Sequence, residues 1–369
     1  MKVGILIYGA LDTISGGYLY DRMLVEHLRA CGDEVEVVSL PWVGYGRALL
    51  HNLSRSLYQR LVVADFDLLL QDELNHPSLF WLNRRLKRQV QYPLVSIVHH
   101  LRQSEQHPRG VCGLYRWVER CYIQSVDGFI FNSQTTRREV EKLLGETSDV
   151  FKTSDVWRSD VCPHIVAYPG GDRFQPVISE AEIMARAQEP GPVRVLFVGN
   201  LTPRKGLHTL IEALCQLPAT DWRLDVVGST AVNPTYTRRI LHNLKPGITL
   251  HGALPDAALA KLMCHSQVLA VPSQYEGFGI VYLEGMGFGL PAIGTTGGAA
   301  AEIISDGVNG YVVEVGDTAV LAHHLHHLHQ DRAALAAMSL AARQRFLAHP
   351  TWAQSMARVR AFLGEQVRG

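Results

Sequence analysis

The sequence predicts an α/β protein made of two doubly wound domains, each built on a parallel sheet. Short apolar segments with strand character alternate with amphipathic helical patterns along most of the chain, a rhythm typical of βαβ units. This rhythm stops once, in a proline- and glycine-rich segment at 168–192, and then resumes. The length of 369 residues also fits two domains.

The first half begins with an apolar strand and an amphipathic helix at 18–30. The strands predicted in this half share short runs of Val, Ile, Leu and Phe; they lie at 3–8, 34–39, 66–70, 94–99 and 128–131. Such runs, uninterrupted by polar residues, are typical of parallel strands that are buried on both faces.

After the connection, which holds a short predicted helix at 179–188, the same alternation returns. The predicted strands of this half lie at 193–198, 223–227, 249–250 and 268–271. The helical patterns between and after them lie at 206–217, 234–244, 255–264 and 280–288. Ligands of open α/β sheets bind beyond the carboxyl ends of the strands, so we expect functional residues in the loops that follow them.

Composition excludes several classes of protein. Lys plus Arg equals Asp plus Glu, 35 each, so net charge gives no argument for nucleic acid. None of the six cysteines forms a C-x-x-C pair, which favours reduced thiols and a cytoplasmic protein. The apolar start of the chain is too short for a signal peptide, and no apolar run approaches the ~20 residues of a membrane span.

The strongest functional pattern lies at 271–291, where a strand end and a glycine-flanked loop lead into a helix. Glu276 precedes the helix, while Glu284 falls on its packed face, where a carboxylate is costly unless it is hydrogen-bonded. Gly277 and Gly279 leave backbone N–H groups at the helix N-terminus, which favours an anion. The residues therefore indicate either a phosphate site with a carboxylate on each side, or a glycine-rich helix packed tightly on a sheet.

This stretch resembles the E-x7-E signature of retaining glycosyltransferases with the GT-B fold, most closely those of family 4. It departs from the family at Gly285, where alanine is usual. The matching elements are Pro272–Ser273, Glu276–Gly279, Leu283–Met286, Gly289–Pro291, Gly297–Gly298 and Glu302–Ile304.

The resemblance implies two α/β domains that face each other across a cleft. The first, at 1–170, is expected on the acceptor side, and the C-terminal helix at 351–369 is expected to cross back to it. The second, at 171–350, is expected to bind the nucleotide sugar.

A second motif runs from Gly199 to Gly206, between a predicted strand and a predicted helix. Arg204 and Lys205 place two cations near a helix N-terminus, a suitable arrangement for a diphosphate; the alternative is a solvated basic turn. The resemblance implies that these cations hold the donor diphosphate. Many family members have arginine directly after the first glycine, whereas this chain has Asn200.

Two further elements lie in the first half. Ser15-Gly16-Gly17 permits close backbone approach between the first strand and helix, and the resemblance implies that Gly16 and Gly17 face the donor. His99 ends the strand at 94–99; a histidine here is either structural or, as the resemblance implies, next to the donor sugar. Arg102 and Glu105 follow and are expected to serve the acceptor.

The resemblance also assigns the remaining donor contacts. Glu276 would hold hydroxyls of the sugar and Glu284 the ribose diol. The backbone at 252–254, which ends at Leu254, would touch the base. The other expected donor-binding residues surround the helix start and are Gly277, Phe278, Gly279 and Ile280.

Two patterns look like metal sites, and we interpret both as structural. Asp65-Phe66-Asp67 opens an apolar strand, which favours solvation of the strand edge. His323 and His327 are four residues apart, a spacing that can bind metal, yet no carboxylate or cysteine joins them. We therefore expect no metal and no other cofactor.

A basic segment, Arg84 to Arg88, lies near Trp42 and Trp81. Basic and aromatic side chains together fit an anionic membrane surface or a lipid diphosphate; the alternative is an ordinary helix exterior. The expected location is therefore cytoplasmic, with or without peripheral contact at the inner face of the membrane.

Taken together, the residues and the resemblance predict a retaining, metal-independent hexosyltransferase. It would move a sugar from a UDP- or GDP-sugar to a hydroxyl of a glycan or lipid-linked glycan, as in cell-envelope or exopolysaccharide synthesis. The predicted catalytic residues are His99, Glu276, Arg204 and Lys205. The alternatives are a nucleotide-sugar epimerase of the same fold and a non-catalytic sensor of nucleotide sugars; a dehydrogenase is disfavoured because no G-x-G-x-x-G follows the first strand of either half.

Overall fold

The computed structural model describes residues 1–104, 109–145, 162–242 and 244–368. The chain divides into two compact units: Met1–Pro169 together with Trp352–Gly369, and Gly170–Thr351. Each unit contains one six-stranded sheet in which all paired strands are parallel, flanked by helices. The predicted fold class, two doubly wound parallel-sheet domains, is confirmed.

The first sheet has the strand order β2-β1-β3-β4-β5-β6. Its strands are β1 (Lys2–Tyr8), β2 (Glu34–Leu40), β3 (Leu68–Asp72), β4 (Leu94–Val98), β5 (Gly128–Phe131) and β6 (His164–Val166). Every residue of β3, β4 and β5 is buried, as expected for the inner strands of a parallel sheet covered on both faces.

Helices of very different length cover this sheet. They are α1 (Gly16–Ala30), α2 (Tyr45–Leu50), α3 (Arg55–Val63), α4 (His76–Leu79), α5 (Leu82–Leu86), α6 (Arg109–Ile123), α7 (Gln134–Gly145) and the C-terminal α15 (Trp352–Arg368). Ser15 begins α1 as its N-cap, where its side-chain oxygen accepts a hydrogen bond from the N–H of Tyr18.

The last helix packs on the first one. The rings of Tyr20 on α1 and Trp352 on α15 meet edge to face, with centroids 5.9 Å apart. Arg360 on α15 donates from Nε to Asp33 Oδ2 over 2.7 Å. Trp352 is buried, so α15 completes the core of a unit whose other residues lie more than 180 positions earlier in the chain.

The second sheet has the order β12-β11-β10-β7-β8-β9. Its strands are β7 (Val193–Val198), β8 (Trp222–Val227), β9 (Ile248–Gly252), β10 (Val268–Ala270), β11 (Ala292–Thr295) and β12 (Gly310–Val313). Its helices are α8 (Glu180–Gln188), α9 (Leu207–Leu214), α10 (Pro234–His242), α11 (Asp256–His265), α12 (Ile280–Gly287), α13 (Thr318–Gln330) and α14 (Arg332–Leu347).

The helix α12 is buried at nearly every position, which accounts for its glycines. A Cβ added at Gly285 would lie 2.9 Å from Leu269 Cδ2, and one at Gly287 would lie 2.9 Å from Pro176 Cγ. These close approaches offset the cost of glycine in a helix, about 1 kcal/mol each. Beyond the helix end, Arg186 donates to the carbonyl oxygens of Phe288 and Gly289 at 2.7 and 3.0 Å.

Some predicted boundaries and elements differ from the structure. The strand expected at 66–70 begins only at Leu68. It is preceded by Asp65 and Asp67, whose carboxylates accept from the side chain and the backbone N–H of Lys2. The strands β6, β11 and β12 were not predicted. They are three or four residues long and two of them contain glycine, which weakens the strand signal.

Candidate functional site

The main candidate site lies at the carboxyl edge of the second sheet. Strands β7 and β10 are neighbours, so the loops that follow them, 199–206 and 271–279, meet at this edge. The backbone N–H of Gln274 donates to the carbonyl of Arg204 over 2.7 Å. Gly206 has a φ of +73°, and a Cβ there would lie 1.9 Å from the carbonyl oxygen of Pro272. Only glycine therefore allows the two loops to approach this closely.

At the centre of the site, Glu276 is buried between two donors. Its Oε1 accepts from Lys205 Nζ over 2.5 Å and from Ser273 Oγ over 2.7 Å. The side chains of Lys205 and Glu276 are 18% and 9% exposed, so the ion pair is largely shielded from water. The structure thus brings together two of the predicted catalytic residues, which are 71 positions apart in the sequence.

The charges of this cluster perturb one another strongly. Burial by itself raises the pKa of Glu276, but the cations of Lys205 and Arg204 outweigh it and lower that pKa to about 2. Burial lowers the pKa of Lys205, and the Glu276 carboxylate opposes this effect. The two side chains form a close ion pair that is placed for charge-assisted hydrogen bonds to a ligand.

Arg204 and Asn200, which also lie in the loop after β7, both bond neighbouring loops. The Arg204 guanidinium donates from Nη1 to the carbonyl of Tyr275 over 2.7 Å, which fixes the chain just before Glu276. Asn200, which replaces the usual family arginine, accepts from the N–H of Ser229 through Oδ1 over 3.2 Å. Its side chain thus supports the neighbouring loop after β8.

The predicted donor-binding residues 277–280 form the entry to α12. Gly279 is the N-cap, with a φ of +92°, and Ile280 begins the helix. Phe278 is buried and lies against His349, with ring centroids 5.9 Å apart. The N-terminus of α12 and its uncapped N–H groups therefore follow Glu276 directly, which is a suitable place for an anion.

Glu284 lies one turn inside α12 and is 3% exposed. The carboxylate has a partner that the sequence did not reveal: Arg173 Nε donates to Glu284 Oε1 over 2.9 Å. Burial raises the pKa of Glu284, and Arg173 opposes that rise. Leu254, expected to touch the base, is half-buried after β9, just before α11.

In the first unit, His99 follows β4 and contacts two residues of α1 at the carboxyl edge of that sheet. A Cβ added at Gly17 would lie 3.0 Å from His99 Cδ2, so the glycine loop packs on the imidazole ring. Gly16, before it, is exposed and begins α1. Asp21, fully buried on α1, bonds His99 Nε2 through Oδ1 over 3.0 Å.

The surroundings of His99 are strongly acidic. Burial lowers the pKa of His99, but the charge of Asp21 and its hydrogen bond outweigh burial and raise that pKa to about 9. Asp72, at the end of β3, lies beside them. Burial and the charge of Asp21 raise the pKa of Asp72 to about 7. His99 is therefore an imidazolium at neutral pH.

A second buried cluster adjoins this one. Burial and the charge of Asp72 raise the pKa of Glu73 to about 8; burial and the charge of Glu73 do the same for Glu119. Burial lowers the pKa of His76 to about 4. The oxygens of Glu119 accept from the N–H groups of Arg102 and Gln103.

These two clusters are the only described groups whose composition and spacing fit a metal ion, with donor atoms within 4.8 Å of one another. Most of the atoms that could bind a metal also contact other protein groups. His99 bonds Asp21, Asp72 accepts from the N–H of Leu74, and His76 contacts Tyr45 and the Glu73 carbonyl. Within the first cluster, Asp21 Oδ2 has no hydrogen-bond partner among the described residues.

The expected acceptor residues are only partly placed. The Arg102 guanidinium lies over the rings of Tyr45 and Tyr115, 5.1 and 4.8 Å from their centroids. Glu105 lies outside the described residues. The Asp65–Asp67 pattern forms exposed contacts with Lys2. In the histidine run, His324 stacks on Tyr311 with centroids 3.8 Å apart.

Sequence reasoning missed Arg173, Ser273 and Asp21 as members of these sites. Arg173 and Glu284 are 111 positions apart, and Asp21 and His99 are 78 apart. No local pattern connects such pairs. A weak signal existed for Ser273, because it sits within three residues of Glu276 in the turn that precedes it.

Comparison with known proteins finds a family that is similar to the second unit. Residues 179–345 match the family described as "Glycosyl transferases group 1", and this range contains the Lys205–Glu276 pair and α12. The match lies within the second unit, which is therefore similar to the group 1 glycosyltransferases. Among relatives, the chain is 27% identical over 349 residues to a phosphatidyl-myo-inositol mannosyltransferase of Mycobacterium leprae, covering 87% of this chain and 86% of the relative.

Two further relatives are similar to parts of the chain. The chain is 24% identical over 240 residues to an alpha-D-kanosaminyltransferase of Streptomyces kanamyceticus, covering 62% of this chain and 59% of that relative, thus less than two thirds of the latter. It is 31% identical over 193 residues to a GDP-mannose-dependent mannosyltransferase of Corynebacterium glutamicum that acts on a monoacylated phosphatidylinositol monomannoside, covering 49% of this chain and 50% of the relative.

Solved structures match the fold over the whole chain. A sucrose-phosphate synthase from Thermosynechococcus elongatus superposes with a TM-score of 0.77 at 20% identity, covering 99% of each chain. Anabaena HepE in complex with UDP-glucose superposes with a TM-score of 0.76 at 19% identity, covering 99% of this chain and 100% of HepE. The chain therefore has the GT-B fold. Among its described helices, none is both long and apolar enough to cross a bilayer.

Proposed function

We propose that this protein is a glycosyltransferase that transfers a hexosyl group from a UDP- or GDP-sugar to an acceptor hydroxyl, with retention of the anomeric configuration and without a metal ion. The observation that carries the proposal is the buried Lys205–Glu276 pair beside the N-terminus of α12. It combines a cation for a diphosphate, a carboxylate for sugar hydroxyls and a helix N-terminus that favours negative charge.

The chemistry follows from these groups. When the glycosidic bond to the diphosphate breaks, negative charge grows on the leaving phosphate oxygen. Lys205, Arg204 and the N–H groups at the start of α12 would stabilise that charge, which is the work that a metal ion performs elsewhere. Among the described residues of the site, no side chain stands out as a covalent nucleophile. The departing phosphate would therefore accept the proton of the acceptor hydroxyl on the same face of the sugar.

We assign the remaining positions as follows. Glu276 binds hydroxyls of the transferred sugar, Glu284 binds the ribose diol and His99 is the fourth catalytic residue. The remaining donor contacts are Gly16, Gly17, Gly199, Leu254, Gly277, Phe278, Gly279 and Ile280. HepE binds UDP-glucose and one relative depends on GDP-mannose, which supports a nucleotide sugar of one of these two bases as donor.

The deciding experiment incubates the purified protein with UDP- and GDP-hexoses, with and without candidate glycan and lipid-linked glycan acceptors. Nucleoside diphosphate release that depends on the acceptor, with an α-product from an α-donor by NMR, supports retaining transfer. Isomerised nucleotide sugar without acceptor would instead show an epimerase, and binding without turnover would show a sensor. An inverted product would contradict the retaining mechanism.

Peripheral membrane contact is a separate part of the proposal, and we assign it to an aromatic–basic surface of the first unit. Trp81 and Trp117 are about half exposed; Phe80 lies 5.6 Å from Trp117 between ring centroids, and Arg85 lies over Trp81 and Tyr58. The sequence at 76–90 carries four basic residues and no acidic one. Trp42 is also about half exposed, and its ring contacts Tyr8.

Co-sedimentation tests this contact. The protein should bind vesicles that contain phosphatidylglycerol and should not bind pure phosphatidylcholine vesicles, since the basic surface is attracted to anionic lipids. Trp81→Ser with Trp117→Ser should lose most of the binding, whereas Leu347→Ser, which removes an exposed apolar side chain of the second unit, should not. Equal binding by all three proteins would reject this surface.

A further inference from the structure

Arg173 belongs to none of the sequence motifs, yet it contacts three groups of the second unit. It lies on the short 3₁₀ turn Asp172–Phe174. Its Nε donates to Glu284 Oε1 over 2.9 Å, and its Nη1 donates to Asp256 Oδ1 over 2.7 Å. The guanidinium carbon also lies 4.1 Å from the centroid of the Phe174 ring. These contacts fix the guanidinium in one orientation.

Packing of the turn on α12 places Arg173 beside Glu284. A Cβ added at Gly171 would lie 2.6 Å from Leu283 Cγ. The backbone of the turn therefore approaches α12 more closely than any side chain at position 171 would allow. On the other side of the turn, the rings of Phe174 and Phe288 lie 6.1 Å apart. The turn is thus held against the helix at both ends.

Arg173 is the cation that acts on the Glu284 carboxylate. Burial raises the pKa of Glu284, Asp256 at the start of α11 raises it further, and Arg173 opposes both. From the other elements packed on α12, Arg343 reaches the carbonyl oxygen of Gly287, and Arg186 those of Phe288 and Gly289. Those two arginines bond to backbone at the far end of the helix.

We propose that Arg173 is a positioning residue for nucleotide binding, which fixes the direction of the Glu284 carboxyl group. The proposal rests on the proposed function, in which Glu284 holds the ribose diol. Through Asp256, the same guanidinium connects Glu284 to the start of α11, directly after the segment 252–254 that we assign to the base.

The consequence is a change in how nucleotide affinity depends on pH. Without Arg173, the buried Glu284 should take up a proton at higher pH, because the charge of Arg173 that opposes the effect of burial is lost. A neutral carboxyl group accepts weaker hydrogen bonds from a diol than a carboxylate does. The affinity of Arg173→Gln for nucleotide should therefore fall as the pH is lowered and recover as it is raised, whereas a change that only loosens the fold would show no such pattern.

Calorimetric titration with UDP and with GDP, from pH 6 to pH 8.5, tests the proposal. The proteins compared are the wild type, Arg173→Gln, Arg173→Lys, Glu284→Gln and the double variant Arg173→Gln/Glu284→Gln. Asp256→Asn is the matched control, because it removes the exposed partner of Arg173 and leaves the bond to Glu284. Because the side chain of Glu284→Gln does not titrate, this variant shows how much of the pH dependence of affinity comes from the nucleotide phosphates. Thermal unfolding verifies that each variant is folded.

We expect Arg173→Gln to weaken binding of the better nucleotide about tenfold or more at pH 6.5, the size of one charged hydrogen bond, with the loss shrinking toward pH 8.5. Arg173→Lys should retain a flat pH dependence, and Asp256→Asn should change affinity less than threefold. In the Glu284→Gln background, Arg173→Gln should have little further effect, since the two residues act as a unit.

Three outcomes would overturn the inference. If Glu284→Gln weakens binding but Arg173→Gln does not, the ribose assignment survives and the positioning proposal is wrong. If Arg173→Gln weakens binding equally in both backgrounds and at every pH, the arginine acts on the nucleotide or the fold and not through Glu284. If Glu284→Gln leaves affinity unchanged, the ribose assignment itself fails, and the positioning proposal fails with it.

Discussion

Replacing Lys205 by alanine should separate its part in the fold from its part in binding. In the structure, Lys205 is the close cation of a buried carboxylate, with 2.5 Å between Nζ and Glu276 Oε1. Removing one partner of such a buried pair costs about 3–5 kcal/mol, because the other charge stays buried. Lys205→Ala should lie at the lower end of that range, since its side chain is 18% exposed.

The stability of a double variant measures the pair itself. In Lys205→Ala/Glu276→Gln the charge that would be left uncompensated is also removed, and Ser273 still donates to the side chain at 276. Urea unfolding should therefore show the double variant to be more stable than Lys205→Ala by about 1 kcal/mol or more. Equal stability of the two variants would mean that the buried Glu276 charge costs nothing once Lys205 is removed, which would contradict this reasoning.

Nucleotide affinity provides the second measurement. A charged hydrogen bond to a diphosphate contributes about 1.5–3 kcal/mol, so folded Lys205→Ala should bind UDP or GDP about tenfold to a hundredfold more weakly. The matched control is Asn200→Ala, which removes a bond to the N–H of Ser229 and should alter stability more than affinity. If Lys205→Ala binds as tightly as the wild type, the diphosphate assignment is refuted.

Three other predictions concern the metal ion, the buried carboxyl groups and the last helix. Turnover should persist in EDTA, and loss of activity that Mg²⁺ or Mn²⁺ restores would contradict the metal-independent mechanism. Glu73 keeps a proton in the folded chain up to about pH 8, whereas the unfolded chain releases it near pH 4.5. The free energy of unfolding should therefore fall as the pH rises through this window. At pH 8, Glu73→Gln should be more stable than the wild type by about 1 kcal/mol or more, and equal stability of the two proteins would refute the assignment. Trp352→Ala should destabilise the first unit by about 3–5 kcal/mol, measured by hydrogen exchange of α1, while exchange of α12 stays unchanged.

The sequence was sufficient for most of the fold because the strands of both sheets are apolar runs with a strong local signal. Val193–Val198 and Gly128–Phe131 have the predicted boundaries. The strand Ala292–Thr295 was missed because its alanine, glycine and threonine give a weak local strand signal. The strand is defined by its pairing with β10 and β12. Local propensity cannot detect an element that depends on its neighbours.

The candidate site was predictable only where its residues form a local pattern. Glu276, Glu284 and Lys205 lie in short motifs, and the structure shows that Lys205 contacts Glu276. The partners that determine the charge of these groups are distant in sequence. The partner of Glu284 is Arg173 and that of His99 is Asp21, and both partners come from other elements of the fold. A single arginine or aspartate in the sequence does not predict which distant residue it will contact.

The membership of α15 in the first unit has a consequence for synthesis. The ribosome makes residues 170–351, the whole second unit, before the helix that covers Tyr20 exists. At about 5–20 residues per second, this interval lasts ~10–40 s. During that time the α1 surface that later holds Trp352 stays open to water and to chaperones. The unit that is begun first is therefore completed last, and a stalled ribosome would leave its apolar α1 surface exposed to aggregation.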